Sequence, residues 1–206
     1  MTRDYRDTEQ YQRFAEGLHE RLAATGLARA ARCGGGALRE DGALVLRSLG
    51  RKIIVSPGSF LIENSFNMWY ELVLLQYLAD GDGCEPMDRW MGLGNFDDGG
   101  ALRGSSFDMQ VRDAAAKELS SFSAAEIARA CRALGGEDAE SMGDLTYDFL
   151  FAPHFPMRVQ IWLADDEFSA SAKVLVDGNA EHYLGIEAAG SAAVILMNLI
   201  AEQACQ

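Results

Sequence analysis

The sequence predicts an α+β fold with a mainly antiparallel sheet, on three observations. Two stretches alternate apolar and polar residues with period two: Met157, Val159, Ile161 and Leu163, then Ala170, Ala172, Val174 and Val176. Two others read as apolar helices: 67–79 is apolar around most of its circumference, and 186–204 carries Ala189, Ala193, Leu196, Met197 and Ile200 on one face. Strands and helices follow one another without a regular β-α-β alternation, which points away from a parallel sheet.

The two alternating stretches predict a central hairpin over 157–177. Apolar residues are odd-numbered in its first strand and even-numbered in its second. Antiparallel pairing therefore puts both sets on one face only if paired numbers sum to an odd value. Pairing Ala164 with Ser169 meets that condition and leaves Asp165, Asp166, Glu167 and Phe168 as the loop. Val159 then lies opposite Val174 and Ile161 opposite Ala172. On the other face Gln160 lies beside Lys173, and Arg158 is expected near Asp177 at the far end.

Taken in order, residues 8–27 read as an amphipathic helix ended by Gly26, with Tyr11, Phe14, Ala15, Leu18 and Leu22 at three- and four-residue steps. Gly34-Gly35-Gly36 is a flexible connection, because no GxGxxG or GKS/T completes a phosphate loop. Residues 43–49 and 52–55 form a hairpin separated by Gly50-Arg51 and followed by Pro57-Gly58. The helix over 67–79 is buried on most sides, and Asp80-Gly81-Asp82-Gly83 stops it. Residues 80–104 are dense in glycine and acid around Trp90 and Met91, long enough to be a functional loop. Calcium-loop spacing fails there, since Cys84, Glu85 and Met91 occupy ligand or glycine positions. A helix follows over 106–119, and another starts at Ser123 with a Ser123–Glu126 capping box and ends at Gly135-Gly136. Leu145, Tyr147, Phe149 and Phe151 alternate as a third strand, and Pro153 and Pro156 restrict the entry to the hairpin. The helix over 186–204 is expected to pack near that over 67–79.

A chain of 206 residues, 49% apolar, suits one domain over 1–206. Its net charge of −13 opposes binding to nucleic acid or to an anionic membrane. The apolar run over 66–78 is too short to cross a bilayer. Cys33, Cys84, Cys131 and Cys205 lie far apart with no CxxC spacing, so separate reduced thiols are expected. With the polar start Met1-Thr2-Arg3-Asp4, this indicates a cytoplasmic protein.

Several segments carry a family likeness: Leu72-Val73-Leu74-Leu75-Gln76-Tyr77-Leu78, the glycine-rich loop around Trp90, Phe155-Pro156, Asp165-Asp166-Glu167-Phe168-Ser169-Ala170, Val176-Asp177 and Tyr183-Leu184. Together they resemble the domain of unknown function 3786 family of bacteria and archaea, over most of the chain from about Ala43 onward. Asp-Glu-Phe ahead of a strand ending in Asp is the more specific part. The family has no assigned activity. Some members carry a four-cysteine iron-sulfur module like that of corrinoid iron-sulfur proteins, so the resemblance implies a link to anaerobic one-carbon or corrinoid metabolism. This chain lacks that module, and Gly99-Gly100 is followed by Ala101-Leu102 where a tyrosine is expected.

Two sets of residues are candidates for function. Asp165, Asp166, Glu167, Phe168 and Trp90 are candidates for contact with a partner protein or small ligand, since an aromatic side chain in a polar loop needs something to pack on. His154, Asp177 and His182 fall at the other end of the hairpin and supply two imidazoles and a carboxylate, a set suited to iron or zinc. Roughly 23 Å of strand separates Glu167 from Asp177, too far to share an ion. No GxSxG or P-loop pattern is complete. The expected function is a non-catalytic accessory or ligand-binding domain. The alternative is a metal-dependent enzyme using the His154, Asp177 and His182 end.

Overall fold

The structure, a computed structural model, describes residues 4–206; Met1, Thr2 and Arg3 of the polar start lie outside the described residues. It is an α+β fold with six α-helices and two antiparallel sheets. Buried residues from Tyr11 to Ala204 form one hydrophobic cluster.

Helix α1 (Glu9–Thr25) starts at Thr8, whose side chain accepts the Tyr11 N–H, and buries Tyr11, Ala15, Leu18 and Leu22. Gly26 ends it at φ 78°, a conformation that favours glycine. A short helix that the sequence reading lacked, α2 (Leu27–Cys33), follows at once. Strands β1 (Ala37–Leu38), β2 (Leu44–Ser48), β3 (Arg51–Val55) and β4 (Ile62–Glu63) form one sheet in that order. Ser48 pairs with Arg51, so the β2–β3 loop is Leu49-Gly50, one residue earlier than expected, with φ of 44° and 74°. Two successive positive φ values are what a tight hairpin turn requires.

Helix α3 (Met68–Asp80) is capped by the Asn67 side chain and is buried around most of its surface. Its buried set includes one charge, Glu71. That carboxylate accepts from the Tyr5 hydroxyl at 2.7 Å, from Arg6 Nε at 3.0 Å and Nη2 at 2.6 Å, and from the Tyr11 hydroxyl. A buried carboxylate without such partners would cost several kcal/mol, so the N-terminal segment and α1 are tied to α3 here.

The five-stranded sheet has the order β5-β9-β8-β7-β6, from β5 (Trp90–Gly92), β6 (Glu137–Asp138), β7 (Leu145–Ala152), β8 (Phe155–Trp162) and β9 (Ser171–Asp177). The central hairpin is β8–β9, in the register that parity predicts: Val159 faces Val174, Ile161 faces Ala172 and Gln160 faces Lys173. Pairing stops at Trp162 and Ser171, short of Ala164 and Ser169. Met157, Val159, Ile161, Val174 and Val176 line the inner face, joined from β7 by Tyr147, Phe149 and Phe151. Full burial of each such side chain contributes about 1.5–3 kcal/mol.

Helix α4 (Gly100–Glu118) begins six residues before the expected 106. Its glycines act as contact points: a Cβ on Gly104 would lie 2.4 Å from the Gly94 backbone nitrogen, and one on Gly100 2.7 Å from the Leu93 carbonyl oxygen. The segment over 80–104 is therefore shorter as a loop than its composition suggests. The capping box of Ser123 and Glu126 opens α5 (Ala124–Ala133), as expected. Helix α6 (Ile186–Ala204) packs against α3, as expected, and also against α4 and α5. No helix of the described residues is long and apolar enough to cross a membrane.

Candidate functional site

The two sheets meet where the β2–β3 turn abuts β7. The Leu49 N–H donates to the Leu150 carbonyl at 2.8 Å, and the Ser48 hydroxyl donates to the Phe151 carbonyl. Gly50 and Gly135 touch backbone to backbone: a Cβ on Gly135 would lie 2.8 Å from Gly50 N, and one on Gly50 3.0 Å from Gly135 N. Beside this junction the outer face of the five-stranded sheet is open, forming a cleft of about 480 Å³. Asp148, Pro156, Trp90 and Asp177 lie along the sheet side, the β2–β3 turn from Arg47 to Gly50 closes one side, and Asp88, Gly135 and Glu137 complete the rim.

Cross-strand register builds the charged row of this face. Leu175, Arg158, Asp148 and Glu137 stand opposite one another across β9, β8, β7 and β6. Arg158 grips Asp148 through Nε at 2.6 Å and Nη2 at 2.7 Å, and its guanidinium lies 4.4 Å from the centroid of the Trp90 ring. Both partners are partly buried, and the Asp148 carboxylate pushes the Arg158 pKa up. Arg158 lies diagonally across from Asp177, near it as expected, but pairs with Asp148, which stands directly opposite on the neighbouring strand β7.

Asp177 is 1% exposed and serves as an anchor. Its Oδ1 accepts the N–H groups of Met87 at 2.7 Å and Asn179 at 3.0 Å, and its Oδ2 accepts the Arg89 N–H at 3.0 Å. Clamping residues 87 and 89 fixes the residue between them: Asp88 has φ 53°, a left-handed conformation that aspartate tolerates better than most residues, and lines the cleft. Trp90 pairs with Asp177 in the sheet register, so the same strand end places both.

His154, Asp177 and His182 all touch the segment from Asp82 to Arg89, through separate contacts. His182 Nδ1 lies 2.7 Å from Asp82 Oδ2, which holds the Asp82 carboxyl below its ordinary range, helped by the Cys84 N–H. His154 Nε2 lies 3.5 Å from Glu85 Oε2, while its Nδ1 lies 2.8 Å from the Tyr183 hydroxyl oxygen. Tyr183 Oη in turn sits 3.0 Å and 2.9 Å from the Cys33 and Cys84 carbonyl oxygens, and burial raises its pKa. His154 Nδ1 also lies 3.1 Å from the Cys33 carbonyl oxygen, so the imidazole, the tyrosine hydroxyl and two backbone carbonyls form one cluster. Among the described residues, no group of three or more His, Cys, Asp and Glu side chains is gathered to hold a metal ion.

The hairpin tip lies at the opposite end of β8–β9. Asp165 Oδ1 accepts the N–H groups of Glu167 at 2.8 Å and Phe168 at 2.7 Å, lowering the Asp165 pKa. The Asp165 N–H donates to the Phe168 carbonyl at 2.9 Å, closing the turn. Phe168 is left 69% exposed, away from Trp90. Asp166 and Glu167 are exposed beside it.

Of the candidate residues, the structure brings Trp90 and Asp177 to the cleft and leaves Asp165–Phe168 at the tip. Arg47, Asp88, Glu137 and Asp148 were missed by the sequence reading. The same parity rule applied to the strand over 145–151 puts Asp148 on the same face as Arg158; single charges in a turn or a two-residue strand such as Asp88 and Glu137 carry no local signal.

No curated protein and no solved structure matches this chain. A family model described as Domain of unknown function (DUF3786) matches residues 27–198. The match spans α2 through most of α6, including the cleft, His154, His182 and the hairpin tip, and the chain belongs to the DUF3786 family.

Proposed function

We propose that this chain is a single-domain, non-catalytic accessory protein that binds a small ligand in the cleft beside Trp90 and meets a partner protein through the Asp165–Phe168 tip. The observation that carries the reading is the cleft itself. It has the size range of small-molecule sites, and it is lined by Trp90, by Asp148 in its pair with Arg158, and by four further charged side chains, Arg47, Asp88, Glu137 and Asp177. Asp177 supports the reading too, because a buried carboxylate is spent on holding the Asp88 turn. At the tip, a turn closed by its own hydrogen bonds holds an exposed Phe168, the kind of rigid aromatic that anchors protein contacts.

A cytoplasmic setting belongs to the same proposal and is supported by four free cysteines. So does a partner in anaerobic one-carbon or corrinoid metabolism, which the family resemblance implies. The alternative, a metal-dependent enzyme with His154, Asp177 and His182 as ligands, would place an ion on a buried carboxylate that already accepts three backbone N–H groups.

A thermal-shift screen of small polar metabolites against the wild-type chain, W90A and F168A tests the reading. Compounds that raise the melting temperature of the wild type and of F168A, but not of W90A, are the expected result. A response that W90A leaves intact, or none across the screen, overturns the cleft as the ligand site.

A further inference from the structure

We infer that the ligand of this cleft is a small zwitterion with an additional cationic group, the chemistry of a basic amino acid; the inference rests on the binding function proposed above. Two of the cleft's carboxylates are already committed. Asp177 is buried and already accepts three N–H groups, and Asp148 is held by both arms of the Arg158 fork. Among the described residues, no ion pair within 4.0 Å engages Asp88, Glu137 or Arg47, and all three line the same space.

Glu137 stands directly opposite Asp148 across the β6–β7 ladder. Like charges in that arrangement repel, and Arg158 offsets only one of them. A cation placed against Glu137 and Asp88 relieves this excess. Arg47, carried by the β2 end at the turn, lines the same cleft and suits a carboxylate. Two uncommitted carboxylates and one uncommitted guanidinium match a ligand with two ammonium-type groups and one carboxylate. The apolar surfaces of Pro156, Leu150 and Trp90 in the same lining suit a short methylene chain.

Calorimetric titration of the full chain at low salt with L-lysine, cadaverine, norleucine and glutarate tests the inference. These probes carry, in turn, all three charged groups, the two amines alone, one amine with the carboxylate, and two carboxylates. L-lysine is expected to bind most tightly, cadaverine and norleucine each about tenfold more weakly, and glutarate not at all. E137Q and D88N should each weaken L-lysine about tenfold, and R47A should weaken L-lysine and norleucine while leaving cadaverine unchanged. All three residues are exposed, and unaltered melting temperatures of the free variants confirm that each still folds. Glutarate binding as tightly as L-lysine, or E137Q and D88N leaving L-lysine unaffected, overturns the inference. Failure of all four probes while other compounds stabilise the wild type but not W90A overturns the ligand class and leaves the cleft as a binding site. Failure of both sets defeats the two readings together.

Discussion

Arg158 and Asp148 face each other across β8 and β7 in a two-bond fork, at 2.6 and 2.7 Å, with the guanidinium resting against Trp90. This pair fixes the indole at the edge of the cleft and neutralises one carboxylate of the charged row. Removing Asp148 would leave a partly buried guanidinium with one aromatic neighbour and no acceptor. D148A is expected to lose about 1–3 kcal/mol in urea unfolding and to shift the Trp90 fluorescence. R158K should not recover the wild-type value, because an ammonium cannot reproduce the fork. Wild-type stability in both variants would show that the fork is dispensable.

Asp177 predicts a local effect on the loop. D177N keeps the shape but presents an amide nitrogen, which cannot accept a backbone N–H, toward at least one present donor. The cost is about 1–3 kcal/mol. Hydrogen exchange at the Met87 and Arg89 amides should speed up more than at the inner-face strands, because the opening is local. Uniform acceleration across the sheet would assign Asp177 to global stability instead.

The alternation of Val159, Ile161, Val174 and Ala172 contains the pleat and hence the register, because a slip by one would turn every apolar side chain outward. The start of α4 was hidden because Gly100 and Gly104 read as breakers, whereas their missing Cβ atoms let the first turn of the helix touch Leu93 and Gly94. Trp90 was singled out as an anchor, but a three-residue edge strand among glycines is defined only by its partner β9. The hairpin pattern places Arg158 near Asp177, while its partner Asp148 follows only from the pairing of β7 with β8.

Glu71 offers a stability test at a distance from the cleft. Tyr5, Arg6 and Tyr11 converge on it from the N-terminal segment and α1, a meeting that no local pattern announces. E71A removes the buried acceptor and strands Arg6 and two hydroxyls. It is expected to cost about 3 kcal/mol or more by chemical denaturation, and E71Q somewhat less. A loss under 1 kcal/mol for E71A would mean that the segment around Arg6 contributes little to holding α3.

The Asp82–His182 contact predicts a pH dependence. His182 lowers the Asp82 pKa, so the folded chain holds this carboxylate ionised to a lower pH than the unfolded chain does. The stabilisation is present above the unfolded carboxylate's titration and disappears as pH falls through the lower folded value. In an NMR titration of the Asp82 carboxyl carbon, the wild-type midpoint should lie below the ordinary aspartate range and move up toward it in H182A. An unchanged midpoint would show that the Cys84 N–H alone causes the depression.

If small molecules bind where the two sheets meet, amide chemical-shift mapping with a compound that stabilises the wild-type chain will show it. The largest changes are expected at Gly50, Asp88, Trp90, Gly135, Glu137 and Asp148. Changes confined to Asp165–Phe168, or to His154 and His182 with the cleft silent, would contradict it.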